Sequence, residues 1–173
     1  SALDVLIALF LAGDYVPPAA VAQHVPAAAL LEQAHLLHTE PGGVCATLHL
    51  YPVGPLLIAS DRWSNPDGSD SEASRELVYP ALNPNTRRFL DLLPTTPCDA
   101  FLDIGAGTGV AALAAVRHGA AHAWAGDIAE SSTVFAEFNR LLNGINAVTA
   151  VTSDVYEQLD GLTFDRIVSH PPY

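Results

Sequence analysis

The chain reads as an α/β protein in which a smaller helical module precedes a parallel sheet. Three observations carry that reading. Apolar runs near 99–104, 121–126, 147–152 and 164–169 alternate with helical stretches near 109–118 and 130–142, the order that builds a parallel sheet covered by helices. The run Phe101–Val110, FLDIGAGTGV, takes a strand through Asp103 into Gly105, Gly107 and Gly109 just ahead of a helix. The first sixty residues follow another plan, helices and then two extended runs, and residues 62–76 after them are rich in Ser, Asp, Pro and Gly. The expected organisation is a module over 1–61, a linker over 62–78 and a second domain over 79–173. With 173 residues, half of them hydrophobic, the chain has ample material for a core.

In the module, residues 3–12 (LDVLIALFLA) lack a basic flank and contain Asp4, and a ten-residue helix is too short to span a bilayer. They read as a buried helix, not as a signal or a membrane segment. Pro17-Pro18 opens a short helix ending near His24, and a third helix is expected near 27–38. VCATLHLYPV and PLLIAS follow as extended runs joined through Gly54-Pro55. Three helices and a hairpin resemble a winged helix in layout, though not in motif. From Ser1 to Ser60 there is no lysine or arginine, so a recognition helix here would meet phosphates without a cation. That argues against nucleic acid as the module's partner and leaves protein contact, dimerisation, a lid role or a purely structural one. Glu32, His35 and His38 recur every three residues, but that spacing drifts around a helix and the flanking leucines favour a half-buried core helix. No metal is expected.

After the linker, ELVYPALNPNTRRFLDLL gives an extended lead-in and a helix beginning near Asn85, with Phe89, Leu90, Leu92 and Leu93 as its apolar side. Asn83 and Asn85 suit a turn and a helix cap. Arg117 and His118 close the next helix before Gly119, favourably placed against its dipole. In the following helix Val134, Phe135, Phe138, Leu141 and Leu142 form the expected core stripe, ended by Asn143-Gly144. Trp63 and Trp124 read as packing anchors.

The glycine loop carries the chemistry. Glycines allow a tight turn and close approach of a ligand to the backbone, and the free N–H groups of the next helix face the same ligand. The spacing is Gly-x-Gly-x-Gly; a dinucleotide fingerprint would want a small residue where Val110 stands. Asp103, two residues before the first glycine, repels a pyrophosphate and attracts an ammonium group. A methionine-type amino acid end suits that charge. The next strand ends at Asp127, where an acid can accept hydrogen bonds from both ribose hydroxyls, and the third ends near Asp154, suitable for an adenine amino group. The chain closes on FDRIVSHPPY.

Over residues 79–173 this ordered set resembles the class I S-adenosylmethionine-dependent methyltransferases. The resemblance implies a Rossmann-like sheet, of which the chain supplies the first four strands, and S-adenosylmethionine as cofactor. It implies a cofactor site of Asp103, Gly105, Ala106, Gly107 and Gly109 at the methionine end, Asp127 at the ribose and Asp154 at the adenine, with Ile128 and Val155 as further cofactor-binding candidates. Similar enzymes cover the cofactor with the segment before the loop, which adds Tyr79, Asn83 and Thr86 as candidates. The terminal SHPPY is similar to the Asn-Pro-Pro-Tyr motif of the branch that methylates amide or exocyclic nitrogens, including release-factor glutamine and small-domain methyltransferases. That family has seven strands, so the parent protein is expected to continue past Tyr173.

The resemblance makes His170, Pro171 and Tyr173 the catalytic candidates. In the motif an Asn and the first proline's carbonyl accept hydrogen bonds from the target NH2, and the aromatic residue stacks on the substrate. Pro171 and Tyr173 match; His170 replaces the Asn. A neutral imidazole accepts through one nitrogen only, but it also takes a proton near neutral pH, which opens a general-base role and an oxygen acceptor beside a nitrogen one. The alternative is that His170 caps the strand end or marks a lost activity.

Net charge is −12, with seven arginines and no lysine, a balance poorly suited to tracking a phosphate backbone. Cys45 and Cys98 are too few and too far apart for a disulfide framework or a zinc motif, as in a reducing cytoplasm. The expected activity is methyl transfer to a nitrogen, or an oxygen, of a protein or small molecule in the cytoplasm, with no membrane partner and the oligomeric state open. A non-catalytic binding or scaffold protein on the same fold is the alternative, an RNA-base acceptor ranks below it, and Val110 and Asp103 disfavour a nicotinamide dehydrogenase.

Overall fold

The computed structural model of the chain describes residues 1–62 and 77–170, so Trp63, most of the expected linker, Pro171 and Tyr173 lie outside the described residues. The chain forms two compact units. The first is built from Ser1–Tyr51 and the return of the chain at Ser60, the second from Pro52–Ala59 and the chain from Val78 onward.

In the first unit α1 (Ala2–Leu6) starts from a capping box between Ser1 and Asp4 and continues into a π-helical turn, Ile7–Ala12, that Gly13 ends at φ 74°. Val5, Leu9 and Phe10 are buried whereas Leu3, Leu6, Ile7 and Leu11 are exposed, so the expected buried helix hides only one of its sides. No helix among the described residues is long and apolar enough to cross a membrane. Pro18 opens α2 (Pro18–His24), where its missing N–H costs nothing. The third helix, α3 (Ala28–Gln33), stops short of the expected residue 38. His35 takes a left-handed φ of 57°, and the chain turns into β1 (Leu37–Glu40), antiparallel to β2 (Gly43–Ala46). Glu32, His35 and His38 therefore never share a helix face. Gly43 is required at its turn: a Cβ there would lie 2.8 Å from the Val16 carbonyl oxygen, at a φ of 134°. A second hairpin, β3 (Leu48–Val53) with β4 (Leu56–Asp61), turns through Gly54-Pro55, so two hairpins follow the helices where one was expected.

The second unit begins with α4 (Pro84–Asp91), whose Asn83 side chain accepts from the Asn85 N–H at 2.8 Å as an N-cap. Leu93 is buried, but Leu92 falls just past the helix and is 74% exposed, so it drops out of the expected apolar side. The sheet contains β5 (Cys98–Ile104), β6 (Ala120–Asp127), β7 (Val148–Thr152) and β8 (Arg166–Ser169), in the order β7-β6-β5-β8 and parallel throughout. The chain winds outward from β5 through β6 to β7, then crosses to the other side of β5. That reversal is a topological switch point, and in such sheets ligands bind beyond the carboxyl ends of the strands there.

Two helices connect the first three strands, α5 (Val110–Arg117) and α6 (Glu130–Leu142). Phe101, Leu102 and Leu113 are completely buried, each stabilising the fold by about 1.5–3 kcal/mol relative to exposure. Trp124 meets Phe164 edge-on at 5.3 Å, a packing role. The expected stripe on α6 is corrected: Val134 and Leu141 are 62% exposed, and the buried residues are Ser132, Ala136 and Asn139. Small residues face inward because α6 packs onto the glycine loop itself; a Cβ at Gly109 would stand 2.8 Å from that of Ala136.

Candidate active site

The four strand ends bring the candidate residues together. Gly105, Gly107 and Gly109 all adopt left-handed conformations, at φ 73°, 52° and 73°, where a side chain is strained. Four of the loop's amides, those of Gly105, Ala106, Gly107 and Gly109, are committed inside the protein. Gly105 and Ala106 donate to the Gly126 carbonyl at 2.9 and 3.1 Å, and Gly109 donates to that of Ala106 at 2.8 Å. The amide of Gly107 donates to Asp127 Oδ2 at 2.8 Å, and the other carboxylate oxygen takes the Ala129 N–H at 3.0 Å. Each oxygen of Asp127 keeps a lone pair for a ligand hydroxyl. Ile128, next in sequence, is 70% exposed.

Asp103, at the end of β5, is almost completely buried, and no hydrogen bond from a described residue reaches its carboxylate. Burial, and secondarily the charge of Asp127, push its carboxyl up to about 7. A cationic group beside it would relieve both effects. At β7 the Ser153 N–H donates to the Asp127 carbonyl at 2.7 Å, which holds the two strand ends side by side and puts Asp154, exposed, at the tip. Val155 then takes a φ of 51°, a conformation that β-branched residues rarely adopt, with its carbonyl accepting from Ser153 Oγ at 3.2 Å.

β8 runs beside β5 with Ser169 opposite Ile104, so His170 follows directly at the switch point. Its ring stacks on Phe89 of α4, centroids 4.9 Å apart and planes 17° from parallel. Tyr79 is 64% exposed on the stretch leading to α4.

Two features escaped the sequence reading. Phe89 looked like a core residue and instead supports His170. Asn139 of α6, which the sequence does not single out, is completely buried and its amide is saturated. Its Oδ1 accepts from the Ala59 N–H at 2.7 Å, and its Nδ2 donates to the carbonyls of Ala59 and Thr108 at 2.9 Å each. Asn143, one helical turn on, repeats the pairing with Leu57, at 2.9 Å to its N–H and 2.7 Å to its carbonyl. The match is metrical: four helical residues rise about 6 Å and two strand residues about 6.6 Å, so α6 partners the edge of β4 as a strand would. One buried amide thus ties the hairpin tip to the glycine loop.

With this geometry in place the kinship can be read. Residues 79–173 match the family described as methyltransferase small domain. The chain belongs to that family. Its cofactor is S-adenosylmethionine, and the donor set fits: acids at three strand ends, a buried carboxylate that calls for a cation, and a face of Gly107 where an added Cβ would meet nothing within 4 Å. Among curated proteins the chain is similar to the ribosomal protein L11 methyltransferase of Thermotoga petrophila, 31% identical over 116 residues that make up 60% of this chain and 43% of the relative. The same enzyme of Lactobacillus delbrueckii is 38% identical over 68 residues, 21% of its length. The chain thus spans less than half the length of these relatives. Among solved structures, a SAM-dependent methyltransferase of Agrobacterium tumefaciens aligns with a TM-score of 0.52 at 17% identity, over 83% of this chain and 49% of that one. At that identity the likeness shows the fold alone.

Proposed function

We propose that the chain transfers a methyl group from S-adenosylmethionine to a nitrogen of a protein acceptor. The observation that carries this is the convergence of Asp103, the glycine loop, Asp127, Asp154 and His170 at one edge of a parallel sheet, around its switch point. In this reading Asp103 faces the ammonium of the cofactor's methionine end, Asp127 accepts from the ribose hydroxyls, Ile128 and Val155 flank the adenine and Asp154 accepts from its amino group. Tyr79 covers the cofactor from the lead-in to α4.

The bound sulfonium supplies an already activated methyl group, so the protein's share is mostly alignment. His170, braced by Phe89, accepts a hydrogen bond from the acceptor N–H. With the acceptor nitrogen so oriented toward the bound cofactor, the imidazole of His170 would take the proton that methylation releases. Pro171 and Tyr173 complete the acceptor site in the manner of the motif that they resemble.

A protein acceptor is favoured over nucleic acid by two things. The curated relatives are named for a ribosomal protein, and residues 1–60 carry acidic side chains without a single lysine or arginine. We assign the module over 1–61 to acceptor recognition. The test is calorimetric titration with S-adenosylhomocysteine, with NADH as control, followed by transfer of labelled methyl groups to separated ribosomal-protein and tRNA fractions. Selective binding and protein labelling are expected; label in the tRNA would move the acceptor class, and absence of binding by the folded chain would overturn the reading.

A further inference from the structure

We propose that His38, Glu40 and Cys45 form a zinc site on the β1–β2 hairpin, with a solvent molecule as the fourth ligand. The site follows from the register. His38 and Cys45 are direct partners across the antiparallel pair, and Glu40 lies two residues beyond His38 and so on the same face. The three donor atoms lie within 4.8 Å of one another. His38 Nε2 stands 2.7 Å from Glu40 Oε1 and 3.3 Å from Cys45 Sγ.

A single imidazole nitrogen serves one hydrogen-bond partner well, yet here a carboxylate and a sulfur converge on the same atom. A cation at the centre satisfies all three at once. Zinc bond lengths of about 2.0–2.3 Å in a tetrahedron separate its donors by about 3.3–3.6 Å, so the His38–Glu40 pair would open by about 0.6 Å and no pair would need to close by more than about 1.3 Å.

The surrounding groups are those that a metal site uses to aim its ligands. The Tyr15 hydroxyl donates to Glu40 Oε2 and leaves Oε1 for the ion. Burial pushes the Cys45 thiol up, and the nearby Arg62 guanidinium, anchored on the carbonyls of Ala46 and Gly13, offsets this only in part, so the ion itself would displace the thiol proton. Thiolate and carboxylate together balance the charge of a divalent ion, and a mixed sulfur, nitrogen and oxygen set selects zinc over magnesium or calcium. Cys45 is buried, while the side chains of His38 and Glu40 are 42% and 41% exposed, which leaves one side open to solvent and to the incoming ion.

The test uses chelator-treated protein titrated with cobalt(II) and then zinc(II). One equivalent of cobalt is expected to give tetrahedral ligand-field bands and a thiolate-to-cobalt charge-transfer band in the near ultraviolet, both displaced by zinc. Cys98→Ser should keep the charge-transfer band and Cys45→Ser should lose it. Because Cys45 is buried, His38→Gln and Glu40→Gln on the exposed side give a second readout, each expected to weaken zinc binding at least tenfold. Absence of a charge-transfer band in the parent protein, its persistence in Cys45→Ser, or unchanged zinc affinity in both exposed variants would overturn the proposal.

Discussion

Asp127 and Gly107 stand twenty residues apart in sequence and one hydrogen bond apart in space, the carboxylate accepting the loop amide at 2.8 Å. The same side chain therefore shapes the loop and, in the proposed reading, faces the ligand. Asp127→Ala is expected to weaken S-adenosylhomocysteine binding by about 10–100-fold, as for loss of a charged acceptor of two hydrogen bonds. Calorimetry on the variant checks this, and His170→Ala, which leaves the loop untouched, should bind within about threefold of the parent.

Asp103 gives the proposed cofactor site a pH signature. Its carboxyl is raised from 3.8 to about 7, so the folded chain holds a proton that the unfolded chain has lost between those values. The Asp103 contribution to stability is thus full below about pH 4 and is lost as pH rises to about 7. Asp103→Asn should flatten that part of the stability profile in urea titrations without ligand. A cationic ligand end favours the ionised form, so S-adenosylhomocysteine binding should tighten as pH rises through about 7 and release a proton, measurable by calorimetry in buffers of different ionisation enthalpy. Asp103→Asn should abolish that release.

The three loop glycines are not equivalent. At Gly109 an added Cβ meets Ala136 Cβ at 2.8 Å, whereas at Gly107 it meets nothing within 4 Å. Gly109→Ala should cost about 2–4 kcal/mol in unfolding free energy, combining overpacking with left-handed strain. Gly107→Ala should cost only about 1–2 kcal/mol of strain, yet weaken cofactor binding by obstructing the open face.

Asn139→Ala removes partners from Ala59 and Thr108 together and should destabilise the second unit by about 2–4 kcal/mol in denaturant titration. Because Thr108 belongs to the loop, S-adenosylhomocysteine affinity should fall as well. Asn139→Asp, which keeps the acceptor but buries a charge and loses both donated bonds, should be worse than alanine on both measures.

His170→Asn restores the residue of the motif that SHPPY resembles. It should retain turnover within about tenfold on a nitrogen acceptor, while His170→Ala should lose about 100-fold or more. Phe89→Ala, which removes the stacking partner, should lower kcat more than it raises KM for the cofactor.

Much of the second unit was legible because a parallel sheet writes itself plainly: buried strands are continuous apolar runs, and their ends are marked by glycine or an acid. Gly105, Asp127, Asp154 and His170 fall at strand ends for that reason. What stayed hidden depends on pairing across long separations. Asn139 carries no mark in the sequence, because its partners come from the hairpin 80 positions earlier. His38 reads as helical until the left-handed turn at His35 sends it into a strand opposite Cys45. The outward Val134 and Leu141 imitate a core stripe, because hydrophobic spacing alone does not say which side of a helix meets the small residues of a glycine loop.

The seam between α6 and the hairpin tip has a consequence for synthesis. Leu57 and Ala59 leave the ribosome 86 and 80 residues before Asn143 and Asn139, the side chains that satisfy their backbone groups. At about 5–20 residues per second, that strand edge waits roughly 4–17 s for its partner. During that interval the nascent chain presents an open β-edge, so the second unit closes late, and a ribosome stalled between the hairpin and α6 would display an aggregation-competent strand.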